Sequence, residues 1–219
     1  MHSESTENYL KAVYSLQQRH DNFISTSELS GYLSINPASV SEMVKKMHEK
    51  ELLEYKRSKG VKLTEVGERV ALKIIRRHRL WETFLVERLE YSWDEVHDLA
   101  EQLEHINSHD LIDRIDKLLG FPKTDPHGEP IPDKDGVILP ERQVLLSEMQ
   151  TGGAGRLSIV HNQEPDFLRY FDEIGLKLGA DIQIQKVNQF DGSVLLTCAD
   201  NNCFVSQQVA QQVSVVPKS

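Results

Sequence analysis

The chain has 219 residues, 39% hydrophobic and 27% charged, the composition of a soluble globular protein long enough for one large domain or two to three small ones. No apolar run approaches the roughly 18 residues of a membrane span, and Met1-His2-Ser3-Glu4 lacks a basic-then-apolar leader, so a cytoplasmic protein with no membrane partner is expected. The net charge of −9 is uneven: residues 1–80 carry 14 Lys+Arg against 10 Asp+Glu, residues 81–219 carry 11 against 24, and a basic head on an acidic body suits phosphates at one end and cations at the other.

Residues 5–55 show helical periodicity broken by short polar turns. Thr6 is the expected cap of a first helix with Tyr9, Val13 and Leu16 on its apolar face. Asp21-Asn22 marks a turn, and Ser25-Thr26-Ser27-Glu28 offers caps for a second helix carrying Leu29, Tyr32 and Leu33. Asn36-Pro37 forces another turn, because Pro suits the first turn of a helix and disfavours a helical residue before it. The helix from Pro37 to about Glu49 places Val40, Met43, Val44 and Met47 on one side. Leu52 to Leu63 then reads as two short extended runs around the basic tip Lys56-Arg57-Ser58-Lys59-Gly60.

Helix, helix, turn, helix and basic hairpin is a winged helix-turn-helix pattern, and its expected partner is double-stranded DNA. The start of the third helix, Pro37 and Ala38 with Ser39, Ser41 and Glu42, would meet base edges. Lys45, Lys46, Lys56, Arg57 and Lys59 would meet phosphates. A small three-helix domain with solvated lysines is the plainer alternative.

From Thr64-Glu65 to about residue 119 the chain reads as almost continuous helix, with a new one starting at Ser92-Trp93-Asp94-Glu95. Trp81, Phe84 and Leu85 are candidates either for a dimer interface or for the core of the monomer. Phe121-Pro122 ends the helices, and Pro126, Gly128, Pro130 and Pro132 make an irregular linker to about residue 140. Beyond it, Arg156–Val160, a short helix at Pro165–Ile174, the alternating Asp181–Val187, the turn Asp191-Gly192 and Ser193–Cys198 suggest a small β-barrel. Cys198 and Cys203, the only cysteines, are too few for a disulfide framework and are expected as small buried residues. The expected class is mainly α with small β, in three domains: 1–70 the winged helix-turn-helix, 71–140 helical with the Pro-rich linker, and 141–219 the barrel.

The segment His97-Asp98-Leu99-Ala100-Glu101-Gln102-Leu103-Glu104-His105 carries the most chemistry. At helical spacing His97, Glu101, Glu104 and His105 share one stripe, while Val96, Leu99, Ala100, Leu103 and Ile106 fall on a core-facing arc. Upstream, His78 and Glu82 are four residues apart and share a face. Two carboxylate–imidazole sets without sulfur suit Mn²⁺ and Fe²⁺ and accept other divalent transition metals. A solvated acidic face with incidental histidines is the competing reading. No zinc-protease, di-iron, Walker or nucleophile-elbow pattern is present, so catalysis is not expected.

These residues resemble the diphtheria-toxin-repressor family of metal-dependent transcriptional regulators in its three-domain form. The resemblance rests on Ser5-Thr6-Glu7-Asn8-Tyr9-Leu10, Pro37-Ala38-Ser39-Val40-Ser41, Arg77-His78-Arg79-Leu80-x-Glu82, Val96-His97-Asp98 with Glu104-His105, and Pro126-x-Gly128-x-Pro130-Ile131-Pro132. The C-terminal part is similar to the SH3-like barrel that such regulators share with ferrous-transport accessory proteins. The resemblance implies a homodimer that binds a palindromic operator when metal-loaded and represses metal-uptake genes, with no small-molecule substrate. It implies one metal site at His78, Glu82 and His97, completed from the barrel by Gln163, Glu164 or Asp166. A second site falls on Glu101, Glu104 and His105. Iron-sensing members carry Cys where this chain has Glu101, so Mn(II) is the first expected ion and Fe(II) the second. The chain departs from the family at the first helix. Asn8 stands where members place Met or Asp, with Glu7 as a neighbouring substitute, and Lys11 stands where two-domain manganese sensors place Glu. A DNA-binding regulator whose cation is purely structural is the other reading, with a metalloenzyme third.

Overall fold

The computed structural model describes residues 2–19, 23–139, 141–199 and 201–218. In chain order its elements are α1 (Glu4–Arg19), α2 (Thr26–Leu33), α3 (Pro37–Glu49), β1 (Leu53–Lys56), β2 (Gly60–Leu63), α4 (Glu65–Leu89), α5 (His97–Leu103), α6 (His109–Leu118), β3 (Val144–Leu145), β4 (Ala154–Val160), α7 (Pro165–Glu173), β5 (Asp181–Val187), β6 (Val194–Cys198), β7 (Asn201–Val205), α8 (Gln207–Ala210) and β8 (Val213–Pro217). They divide into two compact units. One joins Met1–His78 to Gln102–Ile112 and Pro132–Val137, and the other joins Arg79–Glu101 to Asp113–Ile131 and Ile138–Ser219. The division falls within α4.

In the first unit α1 begins one turn earlier than Thr6 suggests. Ser3 Oγ accepts the Thr6 N–H at 3.3 Å, so Ser3 satisfies the open amide and Thr6 is buried inside the first turn. The Asp21-Asn22 turn lies outside the described residues. Ser25 caps α2 by accepting the Glu28 N–H, and Asn36 caps α3 by accepting the Ala38 N–H at 2.8 Å, with Pro37 opening the helix. Tyr9, Leu10, Val13 and Leu16 of α1 pack with Leu29, Val40, Val44, Met47, Leu53 and Val61 in one core, joined by Ala71 and Ile74 of α4.

β1 and β2 pair antiparallel from Leu53↔Leu63 to Lys56↔Gly60. Ile24 adds an isolated antiparallel bridge to β2, exchanging two 2.8 Å backbone hydrogen bonds with Val61. Gly60 makes this approach possible: its φ is +109°, and a Cβ there would stand 2.1 Å from the Ile24 carbonyl oxygen. The winged helix-turn-helix expected from the pattern is the fold of this segment.

In the second unit six antiparallel strands lie in the order β3-β8-β4-β5-β6-β7. The expected small barrel takes this form, with β3 and β7 at the edges; β3, β7, α8 and β8 were not legible as separate elements. Ile182 and Ile184 turn inward onto Leu157, Leu168, Phe171, Val194 and Leu196, while Gln183 and Gln185 point out. Cys198 and Cys203 are free thiols inside that core, where burial pushes the Cys203 thiol up. Trp81 and Leu85 are buried within the chain, with Phe84 edge-on to Trp81 at 5.8 Å, so the core reading holds for Trp81 and Leu85.

α5 is shorter than its sequence stripe. It starts at His97, after a turn over Trp93–Glu95, and stops at Leu103. At that end the Ile106 N–H turns back to the Leu103 carbonyl, and Arg77 Nε takes the Glu104 carbonyl. Glu104 and His105 therefore leave the stripe, and Ile106 is exposed rather than facing the core. Among the described residues no helix is long and apolar enough to cross a membrane.

Candidate metal centre

In the second unit Glu82 is fully buried on α4 and stands between two imidazoles. Its Oε1 lies 3.4 Å from His97 Nδ1 at the start of α5, and its Oε2 lies 3.7 Å from His127 Nδ1. His97 Nε2 is in turn 3.7 Å from Glu101 Oε1. The expected neighbours Glu82 and His97 are thus together. The loop after α6 adds Asp125 and His127, which sequence reasoning missed, and one ligand atom from each of Glu82, Asp125 and His127 falls within 4.8 Å of the others.

The backbone around this trio aims each ligand atom. Asp125 Oδ1 accepts the N–H groups of His127 and Glu129 at 2.8 and 2.9 Å, which leaves Oδ2 for the cluster. His127 Nε2 donates to the Trp93 carbonyl at 2.9 Å, which leaves Nδ1 facing Glu82. Asp125 Oδ2 and His127 Nδ1 are buried with no hydrogen-bond partner among the described residues. Such atoms are costly unless something fills the space between them.

The electrostatics point the same way. Burial and the nearby Glu82 and Glu129 carboxylates push Asp125 up to about 7. Burial works against the His127 imidazolium, yet Glu82 and Asp125 outweigh it and raise His127 to about 9. Protons are held here in the role of a cation. Two carboxylates and an imidazole, with no thiolate, fit a hard to borderline divalent ion. Arg79, which pairs with Glu129 and lies 3.5 Å from Asp125 Oδ2, offsets part of the excess negative charge.

The barrel residues named as candidate ligands are not members of this trio. Asp166 is 98% exposed and pairs with Arg169, Glu164 caps α7 with its backbone, and Gln163 is half-buried. Pro126 lies between the missed pair and Gly128 follows it, so an Asp and a His two apart in a stiffened loop were the available signal.

The first unit holds Glu104 and His105 of the second set. Glu104 is fully buried, with Oε2 2.6 Å from His78 Nδ1 and both oxygens 2.7–2.9 Å from Lys11 Nζ. Glu7 Oε2 accepts from Arg77 at 2.9 Å and from His105 Nδ1 at 2.8 Å. Burial would raise the Glu104 carboxyl, but His78 and the Lys11 ammonium together hold it below its ordinary value. Asn8 Oδ1 is buried without a hydrogen-bond partner, a neutral oxygen donor left unfilled. His78 thus pairs with Glu104 within this unit.

The candidate DNA-contacting residues occupy two elements of the first unit. Pro37, Ala38, Ser39, Glu42, Lys45 and Lys46 are exposed along α3, and Lys56, Arg57 and Lys59 are exposed at the hairpin tip. Lys46 pairs with Glu42 and Lys56 with Glu54 at the surface, weak solvent-exposed contacts that phosphates can replace. Ser41 Oγ donates to the Pro37 carbonyl inside the helix, so its hydroxyl is already engaged.

Comparison with known proteins agrees with this layout. Residues 1–61 match the iron-dependent repressor N-terminal DNA-binding domain, and residues 64–133 match the metal-binding and dimerisation domain of the same family. Residues 144–217 match the FeoA domain, an SH3-like fold. The chain is 34% identical to the iron-dependent repressor IdeR of Mycobacterium tuberculosis over 129 residues, which is 59% of this chain and 56% of that protein's length. It is 31% identical to the transcriptional regulator MntR of Oceanobacillus iheyensis over 125 residues, covering 57% of this chain and 84% of MntR. Among solved structures, a manganese-dependent transcriptional repressor in complex with manganese is 36% identical, with a TM-score of 0.90 over 97% of this chain and 100% of that one.

Proposed function

The chain belongs to the iron-dependent repressor family of metal-dependent, DNA-binding transcriptional regulators, and on that premise we propose that it is a Mn(II)-responsive repressor of metal-uptake genes. In this reading a cytoplasmic homodimer binds palindromic operator DNA when loaded, and its work is regulation, not catalysis. Residues 1–70 read the DNA, 71–140 bind metal and dimerise, and 141–219 form the barrel.

The observation that carries the reading is the buried Glu82–Asp125–His127 trio with its unsatisfied Asp125 and His127 atoms. Those residues, with His97, would hold an ion, which would supply positive charge beyond what Arg79 already brings. The resemblance adds Glu101 with Glu104 and His105 as a second set, and the buried Asn8 oxygen supports a place there for a neutral donor. An oxygen- and nitrogen-only donor set favours Mn(II), and Fe(II) is the second candidate, as in the similar IdeR. Two recognition helices of a dimer would meet half-sites about 34 Å apart. Tighter metal binding on DNA, and tighter DNA binding with metal, are the same coupling free energy, typically about 1–3 kcal/mol.

Fluorescence anisotropy on DNA from the protein's own upstream region, with chelator, Mn²⁺ or anaerobic Fe²⁺, tests the reading. Binding that requires an ion supports a metal-activated repressor, and the ion effective at the lower free concentration is the sensed one. Equally tight binding in chelator would favour a regulator whose cations are structural. That second reading draws on Lys11 and Arg77, which already match the charges of Glu104 and Glu7.

A further inference from the structure

Lys11 stands against the second metal set with chemistry opposite to a ligand's. It lies on α1, one turn beyond Glu7 and Asn8, and its ammonium reaches both oxygens of Glu104, at 2.7 and 2.9 Å, and comes within 3.5 Å of His78 Nδ1. Glu104 has no solvent exposure and the Lys11 side chain retains 17%. The pair is therefore largely dry, where charge pairing is strong and losing one partner is costly. Beside it, Glu7 pairs with Arg77 as Glu104 does with Lys11.

We propose that Lys11 is an internal competitor for the ion at Glu104 and sets the metal concentration at which that site loads. The two oxygens that a divalent ion needs are those the ammonium holds. A divalent ion approaching Glu104 meets the ammonium at the very oxygens it needs, so the ion enters by exchange. It takes the Glu104 oxygens, and Lys11 swings outward along its partly exposed stem with its proton retained. The exchange sets a threshold more than a preference among ions, because an ammonium competes by charge and not by ligand softness. It also gives the reading of the chain as a metal sensor, on which it rests, a direct mechanical partner. The residue displaced belongs to α1, whose Tyr9, Leu10 and Val13 form the core beneath α3.

The test uses the full chain with Mn²⁺ as the probe. Free Mn²⁺ is followed by its electron paramagnetic resonance signal through a titration, and thermal unfolding is measured in chelator. For Lys11→Met, Mn²⁺ at the Glu104 class of site should bind at least about tenfold more tightly, about 1.4 kcal/mol, while the unfolding midpoint in chelator falls because Glu104 has lost its cation. Lys11→Arg should stay near the parent in both. The class is assigned by its loss in Glu104→Gln and its survival in His127→Gln. Unchanged or weaker Mn²⁺ binding in Lys11→Met would overturn the proposal. Should that variant fail to fold, Lys11→Gln, which keeps a neutral donor for Glu104, is read by the same criterion. A parent that binds no Mn²⁺ anywhere would overturn the sensing reading instead, and the competition would then stand only if Lys11→Met gained a site.

Discussion

The backbone carbonyl of Trp93 accepts the Nε2–H of His127 at 2.9 Å, and the Trp93 indole stacks on the same imidazole with ring centres 5.7 Å apart. One residue thus fixes both the tautomer and the tilt of a candidate ligand. The indole also packs edge-on to Phe171 and donates from Nε1 to Asp172 Oδ2, so it ties the imidazole to α7. With only two tryptophans in the chain, a Trp81→Phe protein leaves Trp93 as sole reporter. Its emission should change on Mn²⁺ addition, and the change should vanish when His127→Gln is added. A response that survives His127→Gln would mean that the ion acts elsewhere.

The trio should make stability fall as pH rises. Asp125 is raised from 3.8 to about 7 and His127 from 6.5 to about 9. In each case the folded state holds protons that the unfolded chain releases, so folding is favoured below the unfolded value and loses that contribution through the raised one. Thermal unfolding in chelator should therefore show midpoints declining from about pH 4 to about pH 9. His127→Gln should flatten the upper limb, between 6.5 and about 9. Mn²⁺ takes the place of the protons, so its affinity should climb over the same window.

Gly60→Ala should unhinge the wing. Its φ of +109° alone costs a side chain about 1–3 kcal/mol, and the added carbon would also collide with the Ile24 carbonyl. Chemical denaturation should report a loss at or above that range. DNA binding should weaken further than stability requires, because Lys56, Arg57 and Lys59 sit at the displaced tip.

Lys45→Ala and Ser39→Ala should differ in kind. Loss of a phosphate contact weakens binding on every sequence and lowers the salt slope by about 1, which is the expectation for Lys45. Ser39→Ala should change sequence preference with little effect on the slope. Salt-dependent anisotropy on two operators separates these outcomes, and the reverse pattern would mean that α3 enters the groove differently.

The helical head was legible because its signals are local: Asn36-Pro37 stops one helix and caps the next, and Gly60 sits where a hairpin needs it. Even there the cap of α1 was misplaced by one turn, since Ser3 and Thr6 are equally good caps and only packing buries one of them. The metal sets were half legible. Glu82 and His97 stand out at helical spacing, but Asp125 and His127 lie in a loop, where no periodicity reports burial. Glu104 was placed on a stripe with His97 and Glu101, whereas the helix stops at Leu103 and Glu104 turns to Lys11 and His78. A helical wheel cannot show where a helix ends when a distant side chain, here Arg77, takes the next carbonyl.

Gly128 has φ +86°, and a Cβ there would stand 1.8 Å from the Ser158 carbonyl oxygen. The neighbouring His127 carbonyl accepts the Val160 N–H at 2.9 Å. Ser158 sits at the bulge in β4, between the rungs Leu157↔Val215 and Ile159↔Ser214 to β8, so the bulge aims that carbonyl at the loop. The loop that carries two candidate ligands is thus registered against a strand which itself waits on residues 213–217 for its partner. An unfinished sheet has nowhere to seat His127. Metal affinity at this loop would therefore arrive only with completed folding, and a bound ion would fasten strands that it never touches.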